Sequence, residues 1–449
     1  MTQPVAIARA TPAHALPSEP AVDSWGRLFV ALILACWASS FVIGFQVALA
    51  ILTLSGFIAA VVGVRRPIIG LFGVGMLCTL DPVMNSFLFT GGLWRWSTFN
   101  YWLILVSVVF ARLIVGSSDA RNRLIQLFAL LLGLEILVSP DWYRGLADIA
   151  AVVTVFGLFV YFVRAGEDPA VWSWLGLVCG TTGAAGGIAF LVQQTSLPPI
   201  NLNAWGFLPL TALFSICLAF PFARSRRHAQ LVLVLLATIN YTLAFLSGSR
   251  GTLLTATGCG LFLLILMRRM RRGWIVVLAA GLVALAVTTQ FTDLQTRAVK
   301  RINLLWDPQQ RLVDRTSGRS ALLIGGWNMF VEHPLGVGTG GYAVTRVSLP
   351  GAWRPRATLI AHAGWIKILA ENGLPGISLM GAYLVSFVVA GWRSRHRDLL
   401  MLGLLVTLVF GLGFTTTEYQ SKGLWFLAAG VMALLPSWGL RTRHSRRFT

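Results

Sequence analysis

Leu28 to Val64 reads LFVALILACWASSFVIGFQVALAILTLSGFIAAVVGV, a run without one charged side chain. A helix needs roughly 20 apolar residues to cross about 30 Å of hydrocarbon, so the run holds two closely spaced spans. They are expected at about 28–44 and 46–64.

The same pattern recurs along the chain. Further spans are expected at about 67–88, 98–116, 123–139, 146–164, 171–192, 203–222, 229–247, 250–267 and 273–290. After a long polar interval come about 374–391, 398–416 and 423–440. The expected fold is all-α: a polytopic membrane bundle of about 12–14 transmembrane helices with a large helical outside loop. Composition agrees, since 56% of the 449 residues are hydrophobic and 12% are charged. A soluble domain carries about 25% charged residues, so a soluble enzyme, a disordered chain and a secreted disulfide scaffold are excluded. The cysteines (Cys36, Cys78, Cys179, Cys217, Cys259) all lie inside apolar runs, without metal-ligand spacing.

The net charge of +20 would point to nucleic acid in a soluble protein. Here the basic residues sit mostly between apolar runs, so they report topology and no nucleic-acid partner is expected. With a cytoplasmic N-terminus, the inside segments collect most of them, among them Arg65, Arg66, Arg268, Arg269, Arg271 and Arg272. Short outside segments hold only Arg95, Arg144, Arg250 and Lys422. That contrast follows the positive-inside rule and predicts that both termini are cytoplasmic.

The chain divides into a flexible cytoplasmic tail (1–27), a transmembrane bundle (28–290), an outside loop with short helices (291–373), C-terminal spans (374–440) and a basic tail (441–449). The first of these has no apolar core of the kind a signal peptide needs. The loop is basic, with Arg297, Lys300, Arg301, Arg311, Arg315, Arg319, Arg346, Arg354 and Arg356 against four acids before residue 362. A basic surface close to a membrane implies an anionic partner. Within it, Gly318–Val331 has helical periodicity, with Leu322, Leu323, Trp327 and Phe330 on one face. Thr316 or Ser317 can cap its start, and Pro334 ends it. Gly336-Val337-Gly338-Thr339-Gly340-Gly341 reads as a tight turn returning the chain to the membrane. It lacks the strand and βαβ unit that a dinucleotide loop requires. A second helix is expected over His362–Glu371, then a stop and restart at Asn372-Gly373-Leu374-Pro375-Gly376.

Three features converge on the outer face. Ser247-Gly248-Ser249-Arg250-Gly251 places an arginine at the membrane boundary among small residues that leave backbone amides open to a phosphate. Its plainer reading is an interfacial arginine snorkelling to lipid headgroups. Thr316-Ser317-Gly318-Arg319 places a second arginine at a helix start, where anions are favoured; otherwise it is a solvated loop cation. His362 opens the second loop helix, either as a structural histidine or as a base for a hydroxyl.

The order SGSRG, an apolar span, SGR with an amphipathic helix and a Trp, PLGVGTGGY, then AHAGWIKILAENGLPG resembles the bacterial O-antigen ligase and polysaccharide polymerase family. The likeness covers residues 203–391 well and the earlier spans only by hydropathy. It implies that Arg250 and Arg319 engage the diphosphate of an undecaprenyl-linked glycan donor, and that His362 activates the hydroxyl of a glycan or lipid acceptor. Family members often carry Asn or Ser after the histidine, where this chain has Ala363. The loop is then periplasmic, the membrane is the bacterial inner membrane, and other polysaccharide assembly proteins are possible partners. Arg315, Arg354, Arg356 and Lys367 are candidates for secondary anion contacts. No cofactor is expected, because the donor carries its own leaving group. The chain has no Asp-x-Asp pair for a divalent ion, so a metal-independent reaction is predicted.

Polar residues within apolar runs suggest a rival. Asp81, Glu135, Asn240 and Gln290 are the kind of groups an ion-coupled transporter of an anionic or lipid-linked substrate would use. They are scattered, and no interrupted pair of spans repeats between the halves. Pairing of Asp81 or Glu135 with a neighbouring arginine is the preferred reading. A non-catalytic assembly role would tolerate loss of Arg250, Arg319 and His362 together.

Overall fold

A computed structural model describes residues 19–87, 120–166, 168–194, 197, 202–225, 227–267, 319–342, 344–345, 363–395, 397–413 and 422–435. Among them the fold is all-α: α1 (Glu19–Ile43), α2 (Phe45–Val62), α3 (Pro67–Phe87), α4 (Ala120–Glu135), α5 (Trp142–Ala165), α6 (Pro169–Gln193) and α7 (Leu202–Ala219) come first. Then follow α8 (Arg227–Leu246), α9 (Arg250–Met267), α10 (Arg319–Glu332), α11 (Gly364–Arg393), α12 (Arg397–Gly413) and α13 (Lys422–Leu434). Among the described residues α1, α2, α3, α5, α6, α8 and α11 contain stretches long and apolar enough to cross a membrane, and α7, α9 and α13 contain shorter apolar stretches. The expected spans at 98–116 and 273–290 lie outside the described residues; each of the others coincides with a helix.

One boundary differs from the sequence reading. α1 starts at Glu19, inside the stretch expected as a flexible tail. The cause is docking on α6: Val22 is fully buried, and the Asp23 carboxylate accepts a 2.7 Å hydrogen bond from Trp174 Nε1. The stop and restart expected at 372–376 is present: within α11 the helix breaks at Gly373, which separates the expected second loop helix from the span after it.

Small residues let the helices approach. A Cβ on Gly63 would lie 2.1 Å from Gly70 Cα, which joins α2 to α3; one on Gly176 would lie 2.4 Å from Ala219 Cβ, which joins α6 to α7. Lipid tails are as apolar as leucine, so such close packing, rather than hydrophobicity, drives association here. Asn240 adds a polar tie by donating to the carbonyls of Gly180 (3.0 Å) and Leu236 (2.8 Å).

α13 is the innermost helix, buried on nearly every face. Its two ends are electrostatically closed. Lys422, at its start, pairs with Asp81 of α3, and Arg121 Nη2 donates 2.9 Å to the Leu435 carbonyl just past its end. A cation is favoured at a helix C-terminus and disfavoured at the N-terminus, so Lys422 relies on its carboxylate, while Arg121 lies where the helix dipole favours it. The partner of Asp81 is thus a lysine rather than the expected arginine. Lys422 belongs to the bundle interior rather than to an outside surface.

Cross-element bonds sort the helix ends into two groups. Tyr161 to Ala60, Arg164 to Val64, Trp174 to Asp23 and Arg121 to Leu435 join ends that the charge count places on one side. Gln193 to Ser40, Thr339 to Glu135 and Trp365 to Gly411 join ends that it places on the other. α5 and α6 meet at residues 166–168, α6 runs parallel to α8, and α8 turns into α9 at residues 247–249. The starts of α5 and α9 therefore share the second end.

Candidate active site

The Ser247–Gly251 segment closes α8 and opens α9. Ser247 Oγ donates 2.7 Å to the Ala244 carbonyl, and Gly248 takes φ 63°, a left-handed value that favours glycine. The Ser249 amide donates to Ser247 Oγ at 3.2 Å, and Thr252 Oγ1 donates to Ser249 Oγ at 2.9 Å. Arg250 is the first residue of α9. The small residues beside it serve packing rather than leaving amides open. A Cβ on Gly206 of α7 would lie 2.7 Å from Ser247 Oγ, and Ser247, Ser249 and Thr252 are all buried.

Arg319 is likewise the first residue of its helix, α10. α10 and the first part of α11 run side by side in the same direction: Gly326 lies against Ile366, and Gly336 lies against Glu371. Their contact face is Leu322, Gly326 and Met329. Leu323 and Trp327, expected on the same stripe as Leu322, are about half exposed. The stripe was misjudged because Gly326, whose absent side chain admits Ile366, counts as nothing in an apolar pattern.

The Gly-rich turn and the break in α11 complete each other. Pro375 has no N–H, so the Glu371 carbonyl lacks its usual helical donor. Gly338 N supplies one at 3.0 Å, Val337 N donates to the Ala370 carbonyl at 3.1 Å, and Leu374 N turns away to the Pro334 carbonyl at 3.0 Å. The carbonyls of Ala370 and Glu371 and the Leu374 N–H, freed at Gly373 (φ 57°, ψ −152°), thus find partners in the turn. Gly336, Gly338 and Gly340 all have φ near 90°, and a Cβ on Gly340 would lie 2.5 Å from the Asp141 carbonyl. The turn is wedged into the hairpin of α4 and α5.

Beneath it lies a buried polar cluster. Thr339 Oγ1 donates 3.1 Å to Glu135 Oε2, Asn372 Nδ2 donates to the same carboxylate, and Tyr342 N donates 3.0 Å to Glu371 Oε1. Lys367 Nζ lies 2.6 Å from Asp148 Oδ2 and 4.0 Å from Glu371 Oε2. Lys367 is therefore engaged inside the protein, which corrects its reading as an anion contact. Glu135 takes an amide and a hydroxyl where an arginine was expected. Asp148 went unmarked in the sequence, although an acid within the apolar run 146–164 was its available signal.

Of the predicted site residues, Arg250 and Arg319 head α9 and α10, while His362 immediately precedes Ala363, the N-cap residue of α11. The structure places α10 beside the beginning of α11, at the end of the bundle where α9 starts. His362, Arg315, Arg354 and Arg356 lie outside the described residues. Between α7, α8 and α9, from mid-length to the ends remote from the α8–α9 turn, is a cavity of about 250 Å³, lined by Leu213, Phe220, Leu233, Tyr241, Gly260 and Leu264 among others.

Residues 231–381, about a third of the chain, match the family model described as O-antigen ligase. The stretch runs from α8 to the middle of α11 and contains Arg250, Arg319 and His362. The match supports the O-antigen ligase and polymerase family for this chain, and with it glycan transfer of the ligase or polymerase type. No curated protein matches the sequence. The hairpin that carries Glu135 and Asp148 lies before the matched stretch.

Proposed function

We propose that the protein is an inverting, metal-independent polysaccharide polymerase. It joins undecaprenyl-diphosphate-linked oligosaccharide repeat units at the periplasmic face of the bacterial inner membrane. The observation that carries this reading is the position of the motif residues: Arg250 and Arg319 each begin a helix, and His362 stands just before a third, all within the family-matched stretch.

A helix start carries the positive end of the helix dipole, and an arginine there adds a planar two-pronged donor for phosphate. Arg250 and Arg319 bind the donor diphosphate and stabilise the charge it gains as the leaving group. Arg315, Arg354 and Arg356 extend that field. The acceptor hydroxyl attacks the anomeric carbon while His362 takes its proton. The bond from that carbon to the diphosphate oxygen breaks, and undecaprenyl diphosphate leaves. One displacement inverts the anomeric centre. The apolar cavity between α7, α8 and α9, deeper in the bundle than the α8–α9 turn, accommodates the far part of the prenyl chain. The two groups of helix ends, with arginine concentrated at one, support cytoplasmic termini and a periplasmic loop.

A second reading is a ligase that moves the glycan to lipid A-core or another acceptor; the description of the matched family favours it. Purified protein, a chelator and one lipid-diphosphate oligosaccharide separate the two. A ladder from the donor alone supports the polymerase, and product only after addition of lipid A-core supports the ligase. No product from folded protein contradicts both and returns the transporter, for which Asp81 or Glu135 would be indispensable and His362 expendable.

A further inference from the structure

At Gly373 the helical direction is lost, so the segment Gly364–Asn372 does not inherit its orientation from the membrane-spanning part of α11. Other contacts must orient it. Its polar side chains reach the α4–α5 hairpin: Lys367 to Asp148, and Asn372 to Glu135. Lys367, Asp148 and Glu371 are 6%, 1% and 1% exposed. A buried ion pair adds little net stability over an apolar pair of the same volume, because both charges lose their water. What such a pair adds is direction, since a 2.6 Å contact fixes height and rotation where apolar packing lets a helix slide.

We infer that Asp148 and Lys367 are positioning residues for the transfer reaction. They hold the start of α11, and through it His362, in register with the helix starts that carry Arg250 and Arg319. The inference rests on the role proposed for His362. It makes the α4–α5 hairpin, which lies outside the family-matched stretch, part of the active-site architecture.

The test uses full-length protein in which both charges are removed together, Asp148→Leu with Lys367→Met, beside the conservative Asp148→Glu. Misplacement of a reacting group by about 1 Å costs about 100-fold in rate. With the ammonium gone the buried Glu371 carboxyl must carry a proton, and the double variant is expected to keep donor KM while kcat falls about 10- to 100-fold. Asp148→Glu, which keeps the charge but moves it by one methylene, is expected to lower kcat by a smaller factor at unchanged KM. Wild-type kcat in either variant would overturn the inference, and the second decides alone if the first does not fold. An independent readout is the spin-label distance between Ile324→Cys on α10 and Leu146→Cys on α5, both exposed positions. One narrow distribution in the parent should broaden when the charges are removed; an unchanged distribution would overturn the inference even if the wild type made no glycan product. Absence of wild-type product alone counts against the proposed function and leaves this measurement decisive.

Discussion

Gly373 and Gly381 lie eight positions apart on α11 and are constrained in opposite ways. Gly373 has φ 57°, and a Cβ there would lie 2.2 Å from the Pro334 carbonyl oxygen. Gly373→Ala is expected to cost about 1–3 kcal/mol in backbone strain alone, since φ 57° with ψ −152° is a conformation almost confined to glycine, with the clash added. Gly381 has nothing within 4 Å of its Cβ position, and Gly381→Ala should stabilise by about 0.5–1 kcal/mol. Thermal melting in one detergent checks both, and equal shifts would contradict the account of the kink. At the same scale, His362→Ala should lower kcat about 100- to 10,000-fold, as for loss of a general base, with donor KM nearly unchanged. Donor turnover at several concentrations checks it. The glycines of the turn were legible in the sequence as punctuation. Their partners were not, because a hydrogen bond from Gly338 to the Glu371 carbonyl leaves no trace in a one-dimensional pattern.

Among elements, the test case is α13. Its first residue, Lys422, is paired with Asp81 in the bundle. Lys422→Met takes away the ammonium and leaves the carboxylate buried, which should cost about 3–5 kcal/mol. Asp81→Leu with Lys422→Leu should recover most of that loss. Melting of the single and double variants decides it; a double variant as unstable as the single would show that the pair is not the reason. The spans themselves were readable because each apolar run is long and bounded by arginine or glycine. What that reading missed is where charge is buried: Asp148, Lys367 and Lys422 look like ordinary loop or span charges until the helices are assembled, and Asp81, expected to be paired, takes a lysine. The break in α11 was legible, since Asn-Gly-x-Pro-Gly signals a stop and restart; the turn packed against it, which satisfies the freed carbonyls, was not.

The whole molecule brings a family-matched C-terminal half onto a hairpin from the N-terminal half. The sequence motifs pointed to Arg250, Arg319 and His362, and the structure supplies the wedge of turn, kink and hairpin that sets two of the helix starts side by side. If the cavity between α7, α8 and α9 holds prenyl chain, Gly260→Leu should fill it, because the nearest atom to a Cβ there is a Tyr241 ring carbon at 3.8 Å. KM should then rise several-fold for the undecaprenyl donor and stay unchanged for a short-chain analogue. An equal rise for both would place the chain elsewhere. The central claim is that an acceptor hydroxyl displaces lipid diphosphate in a single step at these helix starts. The most direct test is the anomeric configuration of the newly formed glycosidic bond, read by NMR on product from wild-type protein and compared with that of the donor. The account predicts inversion, with one undecaprenyl diphosphate released per bond formed. Retention would contradict it, since that outcome requires a covalent glycosyl intermediate that neither the arginines nor His362 is assigned to form.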